Sequence, residues 1–278
     1  MRHPSVAGTF YPSLKSELIK QIGESFAKEA GQPEFSDEKG LVSVVSPHAG
    51  YFYSGWVAAF AYREIARSFT EPPTFVIAGP NHTGQGKMVS LSSQDWQTPL
   101  GVAKNDVELG KAIQKASKFI DVDETAHEFE HSIEVQIPFL QHLYGERVRI
   151  VPICMMAQDI DAAEDVAKSV MKAAAELKRP VLLIASSDFT HFESAGSASS
   201  KDTLALAKLE KLDYAGFNKV RASKGATICG FGPITAAMIY SRLKGCTRGK
   251  VLKYASSGDI TGDFNQVVAY CSAMFRLR

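Results

Sequence analysis

The four cysteines include no Cys-x-x-Cys pair, which excludes zinc ribbons and thioredoxin-like redox motifs. Cys154, Cys229, Cys246 and Cys271 are too few and too scattered for a disulfide scaffold. Cys154 and Cys271 lie in apolar runs, VRIVPICMM and VVAYCSAMF, as buried core thiols do. This usage predicts a reducing, cytoplasmic setting. No apolar run approaches membrane-spanning length, and the opening MRHPSVAGTFYPS lacks the apolar stretch of a signal peptide. Charge of one sign is missing too: 31 Lys and Arg face 30 Asp and Glu, for a net charge of +1, with no basic or acidic tail. That balance points away from nucleic acid and membrane surfaces as partners. Low-complexity segments are absent, and the most polar stretch, GQPEFSDEKG at 31–40, has a loop's length rather than a linker's. With 278 residues, 45% of them hydrophobic, the chain reads as one domain over 1–278.

What is present begins with three hydrophobic runs, at 41–45, 75–78 and 181–185, each followed by a short polar turn carrying a histidine. Val- and Ile-rich runs stopped by Gly, Pro, Ser or Asp read as buried parallel strands. Ligands of open α/β sheets bind outside the carboxyl ends of such strands. His48 in SPHAGYFYSG, His82 in GPNHTGQG and His191 in SSDFTH therefore occupy positions from which they can converge.

Helical periodicity is predicted at 13–29 with Ser13 as N-cap, and at 55–68, 106–117, 132–144 and 161–178. Shorter helices are expected at 201–211, 214–223 and 233–243. Pro138 should kink the helix at 132–144 unless it lies in the first turns. Residues 88–92 read as an edge strand, 88–102 as a hairpin-like excursion, and 148–154, 250–255 and 266–275 as strands. The predicted fold is α/β: three layers, with a mixed, mostly parallel sheet of six to eight strands between helices on both faces.

Several side chains carry potential chemistry. Asp188 and His191 form the carboxylate–imidazole pairing that orients a histidine and raises its basicity, which predicts an acid/base role. His131 and Glu134, three apart in HEFEHSIEVQ, are read as a metal pair or as support for a ligand histidine. Glu128 and Glu130 read as acids complementing a helix start. Cys229, before a Gly-rich turn and a helix, sits where a thiolate is stabilised. Asn81 belongs to the cleft-forming turn beside His82. His3, His127 and His142 read as surface or loop residues. Two imidazoles and a third, anionic ligand suit iron(II), copper or zinc better than magnesium or calcium.

These motifs, in order, resemble the Memo-like family, the mediator-of-cell-motility homologues. The resemblance runs from AGTFYP at 7–12 through SPHAGYFYSG, GPNH, EHSIEVQIPFLQ, SSDFTH and CGFGP to YASSGDITGD at 254–263. It implies a fold like that of the class III extradiol dioxygenases. It also implies an iron or copper site built from His48, His82 and Cys229, with Asp188 and His191 as the adjacent polar pair. Eukaryotic relatives are linked to cell motility and phosphopeptide-dependent signalling. The dioxygenases use two His and a Glu. Cys229 stands in place of that Glu, and its softer, more oxidisable sulfur weighs against ring cleavage.

Three functions follow as expectations. One is a metal-dependent oxidoreductase. Another is a non-catalytic module that binds a peptide or small molecule in the strand-end cleft, with Tyr11, Tyr51 and Tyr53 supplying contact area. The third is a thiol hydrolase with Cys229 as nucleophile and His191 as base.

Overall fold

Residues of the central strands bury on alternate sides of the sheet, apart from an irregularity at Val42, and this alternation fixes the architecture. The computed structural model describes residues 1–277. In chain order its elements begin with α1 (Lys15–Ser25), β1 (Leu41–Ser46), α2 (Tyr51–Ser68), β2 (Thr74–Pro80), β3 (Val89–Leu91), β4 (Trp96–Thr98), β5 (Gly101–Asn105), α3 (Val107–Ala116) and β6 (Ile120–Val122). They continue with α4 (Ile137–Tyr144), β7 (Arg149–Met155), α5 (Ile160–Glu176), β8 (Val181–Ser186), β9 (His191–Glu193), α6 (Ala195–Glu210) and α7 (Tyr214–Lys224). The last are α8 (Phe231–Leu243), β10 (Gly249–Ser256), α9 (Gly258–Thr261) and β11 (Val267–Arg276).

The sheet runs β10-β11-β1-β8-β2-β7-β3-β6, with the β4–β5 hairpin joined through β5 to β7 and β9 joined to β11. Its centre, β1-β8-β2-β7, is parallel throughout. β11 and β10 close one side in antiparallel fashion, and β3 continues the other side antiparallel to β7. Val42, Val45, Val76, Ala78, Leu183 and Ala185 bury on one face in a cluster that includes α3, α5, α6 and α8. Val44, Ile77, Leu182 and Ile184 bury on the other with α1, α2 and α4. Strands buried on both faces must be hydrophobic at every position, which is why their runs lack alternation.

Eleven strands among the described residues exceed the six to eight expected. The excess lies in three-residue strands such as β4, β6 and β9, too short to leave a periodic signal. The strand at 88–92 is not at the edge, because β6 lies outside it. Helix ends also differ. Leu14, not Ser13, is the N-cap of α1, and no side chain caps it. The helix at 132–144 is a 3₁₀ turn over Glu134–Gln136 followed by α4, which leaves Pro138 in the first turn. Its missing N–H costs nothing there, so no kink arises. Helix α6 begins at Ala195 because the Ser194 hydroxyl accepts from the Ser197 N–H, a cap hidden in a run of small residues.

Because β1, β8 and β2 are adjacent and parallel, their carboxyl ends lie side by side: Ser46 is opposite Ser186, and Ala78 opposite Ala185. Among the described residues, no helix is long and apolar enough to cross a membrane.

Candidate metal centre and cleft

His48 leaves the end of β1 into a buried position. Its backbone N–H donates to Asp188 Oδ1 at 2.8 Å, and its Nδ1 lies 2.9 Å from Ser186 Oγ. The Ser186 hydroxyl gives its single proton to the Ser132 carbonyl (2.6 Å) and also accepts from Gln136 Nε2 (2.8 Å). It can therefore only accept from His48, so Nδ1 carries the proton and Nε2 the lone pair. Burial, aided by the nearby His131 and His82, pushes the His48 pKa well below that of a free imidazole.

His82 follows β2 and is held by Glu130. Its backbone N–H donates to Glu130 Oε2 at 2.5 Å, and its Nδ1 to Oε1 at 2.9 Å. The Ser132 N–H donates to the same Oε1. Glu130 is fully buried. Burial alone would raise its pKa, but the hydrogen bonds from His82 and the charges of His82 and His131 hold it at about 2. The expectation for Glu130 as a helix-start acid is therefore corrected: α4 begins only at Ile137, and the carboxylate grips His82 instead.

His131 completes the group. Its ring stacks on His82 at 4.6 Å and stands edge-on to His48 at 5.4 Å. Burial lowers its pKa to about 4 against the opposing pull of Glu130. His48, His82 and His131 each offer a ligand nitrogen, and these atoms lie within 4.8 Å of one another. Cys229 falls outside that group but stands beside it, with Sγ 3.1 Å from His48 Nε2. The Asp188 N–H donates to this sulfur at 3.2 Å. Burial pushes the Cys229 thiol up, and the Asp188 charge pushes it further, so a neutral thiol faces a neutral imidazole.

Other predicted residues are placed differently. Asp188 and His191 both line the cleft above the group, about 640 Å³ in volume. They are not hydrogen-bonded as expected: Asp188 serves His48, while His191 Nδ1 donates to the Thr227 carbonyl at 2.9 Å. Burial raises the Asp188 pKa to about 6, partly offset by the His48 N–H and the neighbouring His191. Glu134 does not support His131 through a hydrogen bond. Its buried carboxylate binds Arg2 Nη1 at 2.5 Å, the Ser5 N–H and hydroxyl, the Val6 N–H and the Tyr11 hydroxyl, and so anchors the N-terminal segment.

Tyr11 and Tyr51 are buried, and the Tyr51 hydroxyl donates to the Val135 carbonyl, so of the three tyrosines only Tyr53 lines the cleft. Asn81 organises the His82 loop, accepting from the Thr83 and Gly84 N–H groups and donating to the Gln85 carbonyl. His127, expected at the surface, is fully buried, with Nε2 3.2 Å from the Ser90 carbonyl.

Sequence reasoning missed Ser186, Gln136, Phe10 and Phe192. Ser186 is one of two serines in the polar turn SSDFTH, and Gln136 sits in a run that reads as helix. Phe10 packs on His131 at 4.5 Å, a contact between distant segments that leaves no local pattern.

A mixed α/β sheet whose parallel centre delivers His48 and His82 from separate strand ends into one cleft defines a class: proteins with a candidate metal centre at the carboxyl edge of the sheet. The chain belongs to the Memo-like family, whose model, described as "Memo-like protein", matches residues 2–274. It is 44% identical to a MEMO1 family protein of Methanopyrus kandleri over 280 residues, covering 99% of each chain. A MEMO1 family protein of Sulfolobus acidocaldarius is 42% identical over 283 residues, again covering 99% of each. In structure, the chain resembles an uncharacterized protein of Escherichia coli K12, with a TM-score of 0.53 at 11% identity over 84% of this chain and 99% of that one. At that identity the likeness concerns the fold alone.

Proposed function

We propose that this chain is a metal-binding redox protein with a dioxygenase-like cleft, holding iron or copper at His48 and His82. Cys229 is the third, anionic donor that the family resemblance implies, and His131 is a further imidazole within reach. The observation that carries this reading is the close group of His48, His82 and His131, with Cys229 at 3.1 Å from His48. The donor chemistry fits. Metal ligation needs neutral imidazoles, and burial keeps His48 and His131 neutral. Carboxylate and hydroxyl partners on Nδ1 of His82 and His48 leave the Nε2 lone pairs for a metal, that of His48 now facing the Cys229 thiol, the usual support for a ligand histidine. Mixed nitrogen and sulfur donors suit copper, iron or zinc.

Bound iron or copper would supply one-electron chemistry. The protein's own part is to orient and to move protons. Asp188, whose carboxyl burial holds above the usual carboxylate range, lies beside the cleft where it can hold or pass a proton. His191, fixed through Nδ1 by Thr227, turns a free Nε2 to an incoming ligand. The sulfur donor continues to weigh against ring cleavage. The four free thiols fit the cytoplasmic setting expected from the sequence.

The test is metal analysis after anaerobic purification. Stoichiometric iron or copper, lost in His48→Ala, supports the reading. A folded wild-type chain that takes up neither metal sinks it.

The open, aromatic-walled cleft favours a second reading, a non-catalytic module that binds a small molecule or peptide there. It predicts ligand affinity that is indifferent to His48→Ala. The thiol-hydrolase reading loses its base, because His48 rather than His191 is the imidazole hydrogen-bonded to Cys229.

A further inference from the structure

We propose that Phe192 is the side chain by which the cleft selects its ligand, and that this ligand is an uncharged small molecule with an apolar flank. The inference rests on the cleft being a ligand site, as proposed above, and adds what the site takes.

Three independent features meet at Phe192. Its φ is +58°, in the left-handed region where a Cβ is crowded. It sits at an irregularity in the β9–β11 pairing, between Glu193 opposite Val267 and His191 opposite Val268. Irregularities of this kind re-aim side chains next to functional clefts. Its ring is 73% exposed, the highest value among the described large hydrophobic residues. Folding gains little from a strained backbone that presents a phenylalanine to water.

The flanking residues enforce the arrangement. The His191 N–H and Nδ1 both bond to Thr227, and the Glu193 carboxylate binds Lys201 and Ser197. The ring so displayed lines the cleft next to His191, 5.7 Å between centroids, together with Phe10 and Tyr53. A strained residue pinned from both sides at a cleft's rim is the pattern of a ligand clamp.

The lining also sets the ligand's charge. Among the described residues no lysine or arginine lines the cleft, whereas Asp188, Asp263 and four histidines do. Guanidinium and ammonium groups are the usual side-chain partners of phosphates and carboxylates, so without a metal the described walls hold an anion poorly. Aromatic surface with the hydroxyls of Ser257 and Thr261 and the amide of Gln266 suits a neutral, hydrogen-bonding molecule.

Three probes of one shape and different charge test this: naphthalene-2-methanol, naphthalene-2-carboxylate and naphthalene-2-methylamine. Each is titrated by its fluorescence into the metal-stripped chain and again into the zinc-loaded chain. The neutral probe should bind most tightly to the metal-stripped chain, and zinc, which takes carboxylate oxygens as ligands, should favour the carboxylate relative to it. Phe192→Ala should weaken it about tenfold, or about 1.4 kcal/mol. Phe192→Gly should weaken it as much while raising the unfolding midpoint, because glycine accepts this φ without strain. A merely structural role would lower binding and stability together. In the metal-stripped chain, carboxylate or amine binding as tightly as the alcohol overturns the charge assignment, and unchanged affinity in both variants overturns the role of Phe192. Phe192-dependent binding of the neutral probe to a chain that takes up no metal would uphold this inference while sinking the metal reading.

Discussion

The Glu130 carboxylate holds His82 at two points, the ring through Nδ1 at 2.9 Å and the backbone through its N–H at 2.5 Å. One side chain thereby fixes both the tautomer of a candidate ligand and the loop that carries it. In Glu130→Gln an amide N–H must face one of these donors. Metal affinity should fall about 10- to 100-fold, read by competition with a chromophoric chelator. Unfolding free energy should fall by about 1–3 kcal/mol. Unaltered affinity would show that His82 needs no such support.

Cobalt(II) substitution distinguishes the two candidates for the third donor. With Cys229 as a ligand, the wild-type chain shows a thiolate-to-metal charge-transfer band that Cys229→Ser removes and His131→Ala keeps. A spectrum insensitive to Cys229→Ser but altered in His131→Ala assigns the site to the three histidines.

The buried Arg2–Glu134 pair should matter for stability and not for metal. Arg2→Met strands the Glu134 charge and should cost about 3–5 kcal/mol. Tyr11→Phe removes one hydrogen bond to the same carboxylate and should cost about 2 kcal/mol. Chemical denaturation measures both, and metal stoichiometry in folded Tyr11→Phe should equal that of the wild type. Loss of metal in that variant would return Glu134 to the site.

His127 predicts an acid sensitivity. Burial lowers its pKa from 6.5 to about 4 in the fold. Between those values the unfolded chain binds a proton that the folded chain refuses, so acidification favours unfolding. The contribution is present above pH 6.5, is lost as pH falls towards 4, and is constant below that. It amounts to about 3 kcal/mol. His127→Gln can keep a hydrogen bond to Ser90 without titrating, so its urea midpoint should depend less on pH across that window. An equal slope in the two proteins would discount His127.

Gly230 precedes α8 where the backbone passes against β8. A Cβ there would press on the Ser186 carbonyl oxygen and lie 2.6 Å from Ser187 Cβ. Gly230→Ala should therefore push the Cys229 turn away from His48. We expect a lower melting temperature and faster Cys229 alkylation; wild-type values for both would mean that the backbone has slack.

The central strands were legible because burial on both faces demands unbroken apolar runs, and β1, β2 and β8 obey it. Their terminal histidines were legible for the same reason, since a polar residue directly after such a run lies at the sheet's carboxyl edge. Glu130 was not. It reads as one acid among several in HEFEHSIE, and only the fold shows that no helix starts there and that His82 stands above it. Tyr11 and Tyr51 misled because an aromatic near a cleft motif has the same sequence signature whether its hydroxyl meets a ligand or, as here, Glu134 and the Val135 carbonyl. The relation of Asp188 to His191 misled through proximity in sequence. Three residues apart across a turn, they diverge to serve His48 and to accept support from Thr227.

The thiol of Cys229 and the imidazole of His48 meet across 181 positions of chain. A ribosome must therefore have released most of the polypeptide before these two groups can touch, and a fragment cut short before the turn that follows α7 can never assemble them. Metal captured jointly by both groups would thus report that the end of β1 and the turn before α8, made far apart in time, have come together.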